Sequence, residues 1–347
     1  MKRRKVVVLG AGGLVAQRLQ QRLLHHPWFE LAAVAGSARY LHQPLRSVPW
    51  GLEEPRPEFP NIIVEDISDA STIESMVQKG ITVAFSALPS QKAKTIEPMW
   101  SAAGIAVFSN ASAFRGVAGI PLVVPEINAG ELEKPLFHAC ATNCTLLPLL
   151  LPCAALHASF GLAAYSMRSE QGLSGGGFDY MNDALTKGQV DASIPGEAEK
   201  TEQEFRHVLG WKGHANLDCG RVMRPDGHHV FVTATLEEAV TETDVVASLN
   251  AWSDSHQLTH LPSGPHQPLM LVDSIEVDNH LFADGLHHGL NPDFTVDLKA
   301  GMAITVGSVR CVDEHTVQFE AYSHNTLRGA AGGVVYLAEL AAYKELI

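Results

Sequence analysis

The sequence predicts an α/β protein: an N-terminal doubly wound, Rossmann-like parallel sheet, then an α+β domain with a mostly antiparallel sheet. Three observations carry this. Over residues 1–140, short apolar or β-branched runs alternate with helical patterns, as parallel strands joined by right-handed crossovers do. A glycine-rich turn, Gly10-Ala11-Gly12-Gly13, joins the first run to the first helical pattern. Beyond residue 140 the strand-like runs lengthen and no longer alternate regularly with helices, the texture of an α+β sheet. A chain of 347 residues is long for one core. The expected domains are residues 1–140, residues 141–324, and a terminal helix at 325–347 returning to the first domain.

In chain order, residues 5–9 read as a strand, followed by the glycine turn and a helical pattern through Leu19, Leu23 and Leu24. Residues 31–35, 62–64, 82–85 and 105–108 read as further strands, with a helix over 71–77. In the second half, 230–235, 269–277, 303–311 and 317–322 read as strands, 241–253 as a helix, and the Ala/Leu-rich 327–346 as a terminal helix. There is no internal repeat or low-complexity linker.

Composition narrows the function. The chain is 46% hydrophobic and 18% charged, an ordinary globular balance. Its formal net charge of −13 argues against nucleic acid or an anionic membrane as partner. An anionic substrate would therefore need cations concentrated locally. The five cysteines include no CxxC pair, which fits reduced thiols in a cytoplasmic enzyme. The basic start, Met1 to Lys5, superficially resembles a signal peptide. The glycine cluster and the amphipathic stretch behind it fit strand–turn–helix better. Residues 135–167 carry no formally charged side chain, but His138, Asn143, Pro148 and Pro152 interrupt them, so a buried core segment is expected rather than a membrane span. The histidine pairs 25–26, 228–229 and 287–288 lack metal-ligand spacing, and no metal is expected.

The turn over Gly10, Gly12, Gly13, Leu14 and Val15 opens a helix, where backbone N–H groups can approach a pyrophosphate. The strict GxGxxG pattern fails at Val15; a looser GxxGxxA remains, ending at Ala16. A purely structural turn is the alternative. No acidic residue stands between Glu30 and Glu53 to take a ribose 2′-hydroxyl. Ser37 and Arg39 instead suit a 2′-phosphate, so the expected cofactor is NADP, unless Arg39 is an ordinary solvated arginine.

Cys144, in Ala141-Thr142-Asn143-Cys144-Thr145, precedes a long apolar helical run. A helix N-terminus stabilises a thiolate, although most lone cysteines are merely small buried hydrophobes. Several further blocks make the pattern specific. They are Gln171-Gly172-Leu173-Ser174-Gly175-Gly176-Gly177, Arg221-Val222 followed by Gly227-His228, and Ser109-Asn110-Ala111-Ser112-Ala113-Phe114-Arg115 running on to Pro125-Glu126-Ile127-Asn128. Glu197-Ala198-Glu199-Lys200 and Asn325-Thr326-Leu327-Arg328-Gly329 complete the set.

In this order the blocks resemble the aspartate-semialdehyde dehydrogenase family, in its archaeal and fungal branch, over nearly the whole chain. The resemblance implies NADP-dependent reductive dephosphorylation of L-aspartyl 4-phosphate to L-aspartate 4-semialdehyde, a step of lysine, threonine and methionine biosynthesis. Cys144 would be the nucleophile forming a thioester, with Asn143 beside it, His228 the acid/base near neutral pH, and Gln171 the group orienting the acyl carbon. Arg221 would grip the substrate carboxylate, Arg115 and Lys200 the phosphate, and Glu197 the ammonium; a surface ion pair is the plain alternative for Glu197 and Lys200. Ser174, Gly175 and Asn325 would border the cofactor, with Asn110 as a loop support. The second domain would be catalytic and dimerising, in a homodimer or homotetramer. The sequence departs from the family where Met223-Arg224 replaces the common Pro-Val; Arg224 adds a cation next to the carboxylate grip, changing which acid is preferred or pointing to solvent. The competing readings are a sister reductase of another activated carboxylate, such as malonyl-CoA, and a catalytically silent NADP-binding paralogue.

Overall fold

The computed structural model describes residues 3–347; Met1 and Lys2, part of the basic start, lie outside them. Two compact units divide the chain. The first holds the chain up to Thr142, Asp293–Leu298 and Ala330–Ile347; the second holds Asn143–Pro292 and Lys299–Gly329.

The first unit is built on β1 (Arg4–Leu9), β2 (Phe29–Gly36), β3 (Val64–Asp66), β4 (Ile81–Ser86), β5 (Ala106–Ser109) and β6 (His138–Cys140). They pair in parallel in the order β3-β2-β1-β4-β5-β6, the doubly wound arrangement. Val6, Val7, Val8 and Leu9 are fully buried, as central strands covered on both faces must be. The crossovers include α1 (Leu14–Leu23), α2 (Ala70–Gln78) and α3 (Ser90–Ala102). Asp69 starts α2 by accepting the Ser71 N–H.

The closing helix, Gly332–Tyr343, is apolar and buried nearly all round. Its fully buried Glu339 pairs with His26 Nε2 at 2.9 Å. His26 Nδ1 accepts the N–H groups of Trp28 and Phe29, which leaves the ring proton on Nε2 for the carboxylate. A wider, π-type turn over Leu327–Ala331 precedes this helix, so the regular α-helix is shorter than the expected 327–346.

The second unit pairs β7 (Leu162–Gln171), β8 (His214–Arg221), β9 (His228–Leu236), β10 (Leu269–Leu271), β11 (Ile304–Cys311) and β12 (Thr316–Ser323) in the order β10-β11-β12-β9-β7-β8. The centre of this mixed sheet is antiparallel, and β10 and β8 join its edges in parallel. Helix α4 (Leu146–Phe160) is apolar and buried, and packs on β9, β12 and α7 (Glu242–Ser255). The remaining helices are α5 (Gly177–Lys187), α6 (Glu197–Leu209) and the short α8 (Val277–His280). The uncharged stretch thus resolves into β6, α4 and the start of β7. Among the described residues no helix is long and apolar enough to cross a membrane.

The strand expected over 269–277 is reduced to Leu269–Leu271. Val272 N–H still bonds the Val306 carbonyl, but Asp273 and Ser274 turn the chain towards α8, as their local hydrogen-bonding side chains favour.

Candidate active site

In the first unit the glycine turn leaves the C-terminal end of β1, between β2 and β4, the switch point where open α/β sheets bind ligands. Gly10 has φ +121°, a conformation that side chains other than glycine's rarely adopt. A Cβ on Gly13 would meet nothing within 4 Å, so the start of α1 is open for a group to approach its N–H donors. Leu14 is buried and anchors the helix, with Val15 half-buried beside it. The turn is held from beneath: Gln20 Nε2 donates to the Ala11 carbonyl at 2.9 Å and Gln17 Nε2 to the Gly12 carbonyl at 3.1 Å. Ser37 and Arg39 are exposed just past β2. The Arg39 guanidinium lies 5.1 Å from the centre of the Tyr40 ring, and that ring would stand 2.7 Å from a Cβ on Gly12. Tyr40 thus joins Arg39 to the glycine turn, a role its sequence position does not signal. Arg115 follows a short turn after β5 and donates from Nη2 to the Asn110 carbonyl at 2.7 Å.

In the second unit, strand register aligns the chemistry. Gln171, the last residue of β7, pairs with Arg221 of β8 on one side and His228 of β9 on the other. His228 in turn pairs with Ser323 of β12, so four polar residues form a row across four strands. Cys144 lies just before α4, with Sγ 3.1 Å from His228 Nε2. Behind it, a Cβ on Gly329 would fall 2.5 Å from the Cys144 Cβ; only glycine lets that backbone pass.

Asn143 acts as the cap of α4. Its Oδ1 accepts the N–H groups of Thr145 and Leu146 at 2.9 and 2.8 Å, and its Nδ2 donates to Thr201 Oγ1. Its own N–H donates to Glu204 Oε2 at 2.7 Å. These bonds fix the Cys144 backbone and occupy the carboxamide, which makes Asn143 a positioning group. Glu197 opens α6 and accepts from Thr145 Oγ1 at 3.0 Å. Lys200, half exposed, stands 4.0 Å from Glu197, at the outer limit of an ion pair, so the carboxylate is tied to the Cys144 segment more closely than to lysine.

Arg221 donates from Nη1 to the Gly172 carbonyl at 2.9 Å and lies over the Tyr180 ring. Gly175 is against it: a Cβ there would be 3.1 Å from Arg221 Nη1 and 3.5 Å from His228 Nε2. Ser174 Oγ donates to Asp226 Oδ1 at 2.6 Å and receives Asn325 Nδ2 at 2.8 Å, while Asn325 Oδ1 takes the Gly227 N–H at 2.8 Å. Ser174 and Asn325 are therefore cross-braces of the loop before His228. The Arg224 guanidinium is bound by the backbone carbonyls of Asp226, Glu170 and Gly227.

His228 is fully buried. The Gly172 N–H is shared between the Gly227 carbonyl and His228 Nδ1. A donor at Nδ1 leaves the neutral ring's proton on Nε2, facing the sulfur. Loss of solvation lowers the imidazole pKa from 6.5 to about 3, with Arg221 and Arg224 pushing the same way against the Gly227 carbonyl and Asp226. The expectation of an imidazole titrating near neutrality is thus corrected: the motif identifies the histidine, while burial keeps it neutral.

This has a consequence for stability. Between pH 6.5 and about 3 the unfolded chain binds a proton that the folded ring refuses, so stability is present above 6.5 and is lost as pH falls. At 1.36 kcal/mol per pH unit, the loss from pH 7 to pH 5 is about 2 kcal/mol. Urea unfolding at the two pH values should show that loss in the parent chain. It should be absent from the difference measured for His228→Gln. Equal pH dependence in the two proteins would contradict a buried neutral imidazole.

Comparisons with known proteins agree with this arrangement. The family profile described as semialdehyde dehydrogenase, NAD binding domain, matches residues 5–134. An aspartate-semialdehyde dehydrogenase from Archaeoglobus fulgidus is 32% identical over 99% of this chain and 100% of its own length. One from Methanothermobacter thermautotrophicus is 30% identical over 96% of this chain and 98% of its own. The crystal structure of aspartate semialdehyde dehydrogenase with NADP from Candida albicans superposes with a TM-score of 0.80 at 25% identity, covering 100% of both chains.

Proposed function

The chain belongs to the aspartate-semialdehyde dehydrogenase family, and from that premise we propose that it converts L-aspartyl 4-phosphate to L-aspartate 4-semialdehyde through a thioester on Cys144. The observation that carries the reading is the 3.1 Å approach of Cys144 Sγ to His228 Nε2, on the same strand row as Gln171 and Arg221.

The Cys144 thiolate, receiving the Nε2 hydrogen bond, attacks the acyl carbon, and the C–O bond to phosphate breaks as inorganic phosphate leaves. Gln171 orients the acyl group. Arg221 keeps donors beyond the one given to Gly172 and grips the substrate carboxylate. Glu197 takes the ammonium, and Arg115 and Lys200 take the phosphate. NADPH, when bound, supplies the hydride that reduces the thioester carbonyl. His228 donates its Nε2–H hydrogen bond to the resulting oxyanion and keeps the proton as the oxyanion collapses and the C–S bond breaks, releasing aldehyde and thiolate. A neutral imidazole, already a donor at Nε2, suits this role.

The glycine turn at the sheet's switch point, open at Gly13, supports a dinucleotide pyrophosphate. Arg39 stacked on Tyr40 supports a 2′-phosphate, hence NADP. Ser174, Gly175 and Asn325 are assigned to cofactor binding as well. Five cysteines without a CxxC pair support a reducing compartment. We assign the protein to the cytoplasm, as a homodimer or homotetramer.

The test is NADPH absorbance when the protein is mixed with aspartate semialdehyde and NADP⁺. Reduction should depend on added phosphate. Reduction that requires coenzyme A instead, or none with either, would overturn the substrate assignment.

A further inference from the structure

Arg224 lies in the loop between β8 and β9, and its guanidinium is turned onto the protein's own backbone. Nη2 donates to the Glu170 carbonyl at 3.0 Å and to the Gly227 carbonyl at 3.2 Å, and Nε to the Asp226 carbonyl at 3.1 Å. Glu170 and Gly227 are the residues immediately before Gln171 and His228, which are cross-strand partners. One nitrogen therefore bridges the last peptide ahead of each. The aromatic face of Tyr322 lies 5.5 Å from the guanidinium carbon and backs the same ring against Gly227.

The surrounding loop gives this clasp leverage. Beyond Gln171 and ahead of His228 the two strands stop pairing regularly. The chain is carried by Leu173 N–H to the Arg224 carbonyl, Ser174 N–H to the Pro225 carbonyl and Val222 N–H to the Gln171 carbonyl. Gly227 has φ +90°, a position with little intrinsic stiffness. The imidazole thus leaves a glycine hinge, and charge-assisted bonds to carbonyls on both sides of that hinge resist its rotation.

We infer that Arg224 is a positioning residue for His228, fastening the 222–227 loop to the end of β7 so that Nε2 stays opposite the Cys144 sulfur. The inference rests on the reading of Cys144 and His228 as a reactive pair, but not on the identity of the substrate.

Arg224→Ala tests it, with Arg224→Lys beside it. A displacement of the imidazole by about 1 Å lowers kcat by ~10–100-fold, while KM for semialdehyde and phosphate stays within about twofold. Lysine, which keeps the charge but cannot span three carbonyls, restores only part of the rate. The rate of iodoacetamide attack on Cys144 changes in the alanine variant as well, and this readout needs no substrate. The charged groups around the imidazole are Arg221, Arg224 and Asp226, with the Cys144 thiol in contact. Removing Arg224 therefore moves the acid limb of kcat upward in pH, which a remote folding defect would not do.

Unchanged kcat and alkylation rate in the alanine variant overturn the inference. So does a tenfold rise in KM with kcat kept, which would make Arg224 a substrate ligand. If the alanine variant does not fold, full activity of the lysine variant is the contrary result. If the parent chain proves inactive on semialdehyde, the proposed substrate fails, while the alkylation comparison still decides the role of Arg224.

Discussion

Cys144→Ser is expected to lower turnover by about 10³-fold or more while NADPH binding, followed by fluorescence titration, is kept. Serine is nearly the same size, so the packing of Gly329 against this position is preserved and the loss reports chemistry. A thiol is far more acidic than a hydroxyl and a far better nucleophile when an imidazole N–H faces it. The neighbouring ring cannot rescue the hydroxyl. His228 accepts the Gly172 N–H at Nδ1 and so presents a donor to the side chain rather than a base. The glycine turn proposed to hold the dinucleotide belongs to the other unit, so cofactor binding is expected to survive the loss of the sulfur. Turnover within about tenfold of the parent would remove the covalent mechanism.

Gly227→Ala is expected to have the largest effect on folding. A Cβ at this position would fall 1.9 Å from Tyr322 Oη and 2.4 Å from its Cζ. Tyr322 is 1% exposed, and Arg224 lies over its ring, so it cannot swing aside. The φ of +90° adds backbone strain. Together the overpacking and the strain should cost about 3 kcal/mol or more, read as a fall in the urea midpoint. Adding Tyr322→Phe should recover only part of it, because the ring carbon remains in the way and the dihedral is unchanged. Parent-like stability in the single variant would contradict the close approach on which the placement of His228 depends.

The first unit is the more legible from sequence because parallel strands covered on both faces are short apolar runs, and glycines punctuate them. Val6 to Leu9 followed by Gly10 announces both the strand and the turn. β8 is silent by comparison. It is an edge strand, and its residues, from His214 through Asp218 to Arg221, are half-polar and partly exposed, so no hydrophobic alternation marks it. β7 is hidden differently. Only Gly161, at φ +68°, separates its first residues from the apolar run of α4, and the two read as one segment.

The residues proposed to react are legible through the spacing of Asn143-Cys144-Thr145 and of Arg221 with His228. Their surroundings are not. Nothing in the local sequence says that Asn143 spends its carboxamide on a helix cap, or that Asn325 braces Gly227 and Ser174 from nearly a hundred residues beyond the first. Such contacts are made by strand register and loop closure, which a linear pattern does not encode. The low pKa of His228 belongs to the same class, since burial is a property of the folded chain.

In the proposed mechanism Cys144 and His228 act on one carbonyl carbon. The direct measurement is a stopped-flow mix of the protein with aspartate semialdehyde and NADP⁺ in the absence of phosphate. A burst of about one NADPH per chain should appear, then stall with an acyl group on the Cys144 peptide, and resume when phosphate is added. No burst, or an equal burst from Cys144→Ser, would contradict it.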